Sequence, residues 1–138
     1  MIVDATGLVM GRLASVTAKR LLAGEEVKIV NIEKVIVTGR KERTFDDYGQ
    51  SRQRGTKERG PYFPRRPDRI MTRTIRGMLP YKMQRGRDAM SKLRVFIGVP
   101  RELKGQTFEQ PRDAMMRQTS NANYVELGVL SKRLGADF

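Results

Sequence analysis

The first forty residues constrain the fold most. "IVDA" (2–5) is a short apolar run suited to a buried strand, "GRLASVTAKRLLAG" (11–24) follows helical spacing, and "EVKIVNI" (26–32) and "VIVT" (35–38) return to β-branched runs. At 100° per residue, Leu13, Ala14, Thr17, Ala18, Leu21 and Leu22 cover one half of the helical wheel, while Arg12, Ser15 and Lys19 fall on the other. Gly24 stands where a glycine closes a helix. About twenty residues separate the first two strands, enough for a right-handed helical crossover and hence a parallel pair. The spacing therefore predicts an α/β fold that begins with a β-α-β unit.

The middle of the chain is different in kind. "GRKERTFDDYGQSR" (39–52) is polar, with apolar anchors only at Phe45 and Tyr48, and predicts a partly helical excursion from the sheet. "QRGTKERGPYFPRRP" (53–67) holds three prolines and two glycines, the composition of an extended or looped arm. "DRIMTRTIRGMLP" (68–80) regains helical spacing, with Asp68 in the first turn, where an acid suits the helix dipole, and Pro80 as the stop. "QRGRDAMSKL" (84–93) reads as a short helix and "RVFIGVP" (94–100) as a further strand of the same sheet. The tail "YVELGVLSKRLGADF" (124–138) ends in a helix whose Leu127, Leu130 and Leu134 share a face. With 138 residues, no internal repeat and no linker, the chain reads as a single domain, 1–138, carrying a basic segment at about 40–94.

Charge separates these regions sharply. The net charge is +13, yet residues 1–39 and residues 95–138 each carry only +1, and residues 40–94 hold seventeen basic groups against six acidic ones. Self-repulsion on that scale disfavours the free fold, so a polyanionic partner is the natural explanation. The helix at 68–79 sharpens the point. Ile70, Met71, Thr74, Ile75 and Met78 share one side of the wheel; Arg69, Arg73 and Arg76 lie opposite, with Arg65 and Arg66 extending that side. Ordinary solvated helix faces mix the two signs through i,i+4 pairs, and this face contains no acid.

Between residues 50 and 87 there are ten arginines and two lysines, against only Glu58 and Asp68. Guanidinium groups meet phosphate oxygens bidentately and stack on bases, which a lysine point charge does not do. Tyr62, Phe63 and Tyr81 lie in the same stretch, and aromatics among arginines suit RNA with unstacked bases; the same rings would also serve to anchor the arm to the core. Gly55, Gly60, Gly77 and Gly86 either let backbone approach phosphates or permit turns. The candidate RNA contacts are thus Arg52, Arg54, Lys57, Arg59, Arg65, Arg66, Arg69, Arg73, Arg76, Lys82, Arg85 and Arg87, with Tyr62 and Phe63; Arg40, Lys41 and Arg43 are weaker candidates.

Other chemistries lack their residues. The chain has no cysteine and no histidine, which removes thiolate chemistry, the Ser-His-Asp arrangement and the commonest metal ligand. "GLVMGR" (7–12) has glycines at four-residue spacing with no Gly-Lys-Ser/Thr after them, so it reads as a strand-to-helix turn and not a phosphate loop. Asp46-Asp47 stands among Arg40, Lys41, Arg43 and Arg52, where charge balance outweighs metal binding. Met115 and Met116 read as core or interface filler. No run approaches the ~20 apolar residues of a membrane span, and the basic helix lacks the broad apolar face of an interfacial anchor. An enzyme using the sheet edge would fall back on Asp4 and Asn31, a poor constellation. We therefore expect no catalytic residues, no cofactor, no metal, no membrane and no small-molecule substrate.

Four stretches together, "VDATGLVMGRLAS", "VKIVNIEKVIVTG", "RGPYFPRRPDRIMTRTIRGMLPYK" and "LRVFIGVP", resemble the universal large-subunit ribosomal protein L-thirteen family in its archaeal form. The match runs in order from residue 2 to about residue 100, and Arg76-Gly77-Met78-Leu79-Pro80 is its most specific signature. The resemblance implies a three-layer α/β/α fold around a mainly parallel four-stranded sheet, with the basic arm and helix beside it. It also implies binding of large-subunit ribosomal RNA, contact with neighbouring large-subunit proteins, a part in early subunit assembly, no catalytic role, and residence in the cytoplasmic ribosome. The alternative is a non-ribosomal RNA-binding protein acting in translational control.

Overall fold

The computed structural model describes residues 1–116 and 123–138. Among these, five α-helices and five short strands occur in the order β1 (Ile2–Asp4), α1 (Met10–Leu22), β2 (Val27–Val30), β3 (Ile36–Thr38), α2 (Lys41–Gln53), α3 (Pro67–Met78), α4 (Gln84–Ser91), β4 (Leu93–Val95), β5 (Tyr124–Glu126) and α5 (Leu127–Arg133).

The β-α-β opening forms as its spacing predicts. β1 and β2 pair in parallel, with Ile2 opposite Lys28 and Asp4 opposite Val30. The apolar half of α1 (Leu13, Ala14, Thr17, Ala18 and Leu21) is buried. Gly24 adopts φ +96, and the helix closes with the Gly24 N–H on the Leu21 carbonyl (3.1 Å) and the Glu25 N–H on the Arg20 carbonyl (3.2 Å). That paired closure satisfies two carbonyls which the helix end would otherwise leave free. β4 joins the far edge of β2, also in parallel, with Val27 opposite Leu93. It is shorter than the stretch 94–100, although the Phe96 N–H still reaches the Ile29 carbonyl at 2.8 Å.

The mainly parallel sheet forms, but among the described residues it has three paired strands, in the order β1-β2-β4, and not the expected four, with a separate antiparallel pair of β3 and β5. Local backbone geometry explains the difference. Asn31 sits in the left-handed region (φ 55) and a single 3-10 turn, Ile32–Lys34, comes after it, so the chain leaves the sheet before β3 begins. Ile36–Thr38 instead pairs with Tyr124–Glu126, Ile36 lying opposite Glu126. The tail thus contains a strand that its helical spacing concealed. At the free edge of β1, Glu109 makes one parallel bridge to Val3, its N–H on the Ile2 carbonyl (2.9 Å) and its carbonyl receiving the Asp4 N–H (3.1 Å). Gly105 at φ +88 and Pro111, which has no N–H to give, bracket that bridge and keep it from lengthening into a strand.

The core gathers where α1 packs against α3 and α4, beside β2 and β4. Leu13, Leu21, Ile29, Ile70, Met71 and Ile75 are all essentially inaccessible there. In α5, Leu127 and Leu130, with Leu134 just beyond it, are buried as their shared face predicts; the helix packs on the 32–34 turn and on α3. The polar stretch 39–52 is more regular than its composition suggests. It forms the thirteen-residue helix α2, which buries Thr44 and half-buries Phe45 and Tyr48 against the core.

Candidate nucleic-acid interface

α3 forms because each end has its signal. Pro67 stands in the first turn with its φ already helical, Asp68 meets the positive end of the dipole, and the chain leaves the helix at Leu79 before Pro80. Pro67, Ile70, Met71 and Ile75 are buried; Arg69, Arg73 and Arg76 are exposed on the opposite side, as the wheel predicts. Met78 departs from its expected packing side and is 44% exposed, because it is the last helical residue and Leu79, beyond the helix, takes the buried position.

Two of these arginines are held over rings. The Arg73 guanidinium lies 4.9 Å from the Phe63 ring centroid and the Arg76 guanidinium 5.3 Å from that of Tyr81. Phe63 is half-buried and meets Tyr48 edge-on at 5.8 Å, so the arm is fastened to α2 and α3 through one aromatic cluster. Such contacts are worth about 0.5–1 kcal/mol at exposed sites and orient a guanidinium without neutralising it. Tyr62, by contrast, is 70% exposed. Its hydroxyl donates to the Lys57 carbonyl at 2.7 Å, while Thr56 and Gly60 exchange backbone hydrogen bonds across the loop. Residues 56–60 are therefore a closed loop within the arm, presenting Lys57, Glu58 and Arg59 at its tip. Gly55 is required there: at φ +91, an added Cβ would come 2.3 Å from the Gly60 carbonyl oxygen.

All fifteen basic candidates are exposed. Among the described residues the ion pairs are Arg20–Glu109 (2.9 Å), Arg43–Asp47 (4.0 Å) and Arg66–Asp68 (3.3 Å), so only Arg43 and Arg66 of the candidates face an acid in this way. Lys41 lies 5.8 Å from the Phe45 ring, and Arg87 donates to the Gln84 side chain at 3.0 Å. Arg40, Arg54, Lys57, Arg59, Arg69, Lys82 and Arg85 project from α2, the arm, α3 and α4 with no acid in pairing distance.

Two candidates have structural duties that spacing did not reveal. Arg52 donates from Nη1 to the Leu134 carbonyl at 2.5 Å, tying α2 to the end of α5. Gly86 is buried where an added Cβ would come 2.1 Å from the Pro80 carbonyl oxygen, so its smallness serves the packing of α4 on the preceding turn. Arg133 escaped the sequence reading, because it lies 39 residues beyond the basic segment. It lines a cavity of about 640 Å³ together with Arg52 and Arg65. Only the tertiary fold brings these three together, and no local pattern marks the meeting.

The fallback catalytic pair is committed elsewhere. Burial pushes the Asp4 carboxyl up, but hydrogen bonds from the Asn31 amide and from the Thr6 hydroxyl and N–H, with the Lys34 charge, outweigh it and leave the group below its ordinary value of 3.8. Those bonds measure 3.0, 2.8 and 3.1 Å and fix the turn after β1. Gly7, at φ +71, completes that turn in place of a phosphate loop. Asp46 and Asp47 are exposed, and among the described residues no three acidic groups gather as metal ligands. Met115 is 40% exposed, which places it at the surface and not in the core. Among the described residues no helix is long and apolar enough to cross a membrane.

The sequence profile of the family described as "Ribosomal protein L13" matches residues 1–102. The chain is 54% identical over 138 residues to the "Large ribosomal subunit protein uL13" of Methanosarcina barkeri, covering 99% of each chain. It is 53% identical to the protein of that name from Methanococcoides burtonii, again with 99% of each covered. For the one from Archaeoglobus fulgidus the identity is 52%, over 97% of this chain and 86% of the relative. The near full-length alignment, taken with the arginine-faced α3 and its β-α-β body, leads to one conclusion: this chain belongs to the ribosomal protein L13 family, a family of ribosomal constituents and not of enzymes.

Proposed function

We propose that this protein is a structural constituent of the large ribosomal subunit in the cytoplasm, that it binds large-subunit ribosomal RNA through residues 52–87, and that it supports early subunit assembly. One observation carries the reading. The buried side of α3 is continuous with the core, while its opposite side presents Arg69, Arg73 and Arg76, none of them within pairing distance of an acid among the described residues. Repulsion among such groups is relieved when phosphates take the place of water and counterions. The rings under Arg73 and Arg76 and the closed loop at 56–60 support the same reading, since groups already oriented lose less freedom on binding. The near-neutral remainder of the surface is left for neighbouring ribosomal proteins.

If about six of the basic groups meet phosphates, affinity falls by at least ~10³ between 50 and 200 mM salt. The test is incorporation. Arg69, Arg73 and Arg76 are replaced together by Glu, and the variant is followed into large subunits by sedimentation, with circular dichroism of the free protein as the control on folding. We expect a folded protein that fails to enter the particle. Normal incorporation would make the arginine face incidental, and so would full reactivity of residues 52–87 toward an arginine-modifying reagent in the purified subunit.

A further inference from the structure

We propose that Arg52, Arg65 and Arg133 clamp a single backbone phosphate at the end of α5, an inference that rests on the RNA-binding reading above. The three side chains come from α2, the arm and α5, and they line one cavity in which Asp46 is the only acid among the described residues. Arg52 is already held by its bond to the Leu134 carbonyl. The Arg52 and Arg65 Nη1 atoms lie 3.7 and 3.8 Å from the point where a Cβ would stand on Gly135, so the two groups are no further apart than those distances added together. Neither forms an ion pair with an acid among the described residues. Like charges converging on a concave site, with one carboxylate for three guanidinium groups, leave the site an excess of positive charge that an anion would balance. Gly49 and Gly135 contribute no side chain to obstruct a backbone approaching there.

The choice of a phosphodiester rests on position. Arg65 stands two residues before α3, so the cavity it lines adjoins the N-terminal end of the arginine-faced helix. Planar guanidinium forks are suited to sharing the oxygens of one phosphate between them.

Sharing sets the test apart from any measurement of general basicity. The full-length protein is bound to an in vitro transcript of large-subunit ribosomal RNA over a range of salt, as wild type, Arg65→Gln, Arg133→Gln and the double variant. Arg133→Gln is expected to weaken binding about tenfold, the scale of one charged hydrogen bond, and to reduce the slope of log affinity against log salt by about one. The double variant is expected to lower that slope by about one as well, because both side chains engage the same phosphate. A drop of about two would mean two independent contacts and would overturn the clamp. An unchanged Arg133→Gln overturns it too; if the Arg69, Arg73 and Arg76 reversal still abolishes binding, the RNA reading survives that result, and if it does not, both fall. Orthophosphate titrated at fixed ionic strength distinguishes the ligand's source: saturable binding lost in Arg133→Gln, with RNA affinity unaltered, would assign the site to free phosphate and overturn the proposal.

Discussion

α1 and α3 lie against each other in the core, and both are amphipathic, yet their outer faces obey different rules. On α1, Arg20 pairs with Glu109 at 2.9 Å and Arg12 donates to the Met115 carbonyl at 3.1 Å. On α3, Arg69, Arg73 and Arg76 form no ion pair with an acid among the described residues, and two of them rest on aromatic rings. The first helix uses its charges to fasten the chain to itself. The second keeps its charges available. Hydrophobic patterning cannot tell the two apart, since their buried sides are built alike; the location of the counter-charge can.

The strongest way to break this contrast is on the outer face of α3. Reversing Arg69, Arg73 and Arg76 to Glu should lower affinity for large-subunit RNA by at least ~10³ at low salt, measured by filter binding, through lost contacts and new repulsion. The same reversal should shift thermal unfolding only slightly, because surface substitutions usually stay within about 0.5 kcal/mol each. Next come the buried sides, where the helices should behave alike. Met71→Ala and Leu13→Ala, both at fully buried positions, should each cost about 2–5 kcal/mol in denaturant unfolding. A markedly cheaper Met71→Ala would mean that α3 is docked less firmly than α1.

Smaller effects sharpen the difference between the outer faces. Arg20→Ala should cost under about 1 kcal/mol and the loss should fade in high salt, since the Arg20–Glu109 pair is only partly shielded from solvent. Arg69→Ala should cost nothing, or stabilise slightly by relieving repulsion. Equal losses from the two would erase the distinction. The smallest expected signal concerns pH. The Asp4 carboxyl titrates lower in the fold than its ordinary 3.8, so its contribution is fully present above that value and lost as pH falls through the lower folded value. Asp4→Asn should flatten the pH dependence of stability there, measured by chemical denaturation from about pH 5 down to about pH 2, the range over which a carboxylate of lowered pKa loses its contribution, and should be less stable than the wild type at neutral pH by what the carboxylate contributed.

Patterns that repeat within a helix or a strand were readable in the chain. The α1 wheel, its closure at Gly24, the division of α3 and the buried leucines of the tail all depend on neighbours within a few residues. What stayed hidden depends on distant partners. "VIVT" carries the composition of a sheet strand, but nothing in it reveals that an αL residue at Asn31 turns it away toward residues 124–126. The "YVE" strand is too short to show a period. Arg52 reads as one more basic group until its bond to Leu134 is seen, and Arg133 lies among near-neutral residues. Charge clustering marked the exposed basic segment, because the clustering is itself local in sequence. It could not separate arginines that brace the fold from those left facing outward.

The β3–β5 pairing has a consequence in time. The basic excursion leaves the body just after Thr38, and its root is fastened by Tyr124–Glu126 and by the Gly39 N–H on the Asn123 carbonyl (2.9 Å). A chain emerging from a translating ribosome exposes its cationic segment well before the residues that secure it have been polymerised. Until synthesis passes residue 126, β3 has only its single bridge to Val9 and the stem of the excursion lacks the strand that fastens it; residues made long after the excursion are the ones that set its bearing.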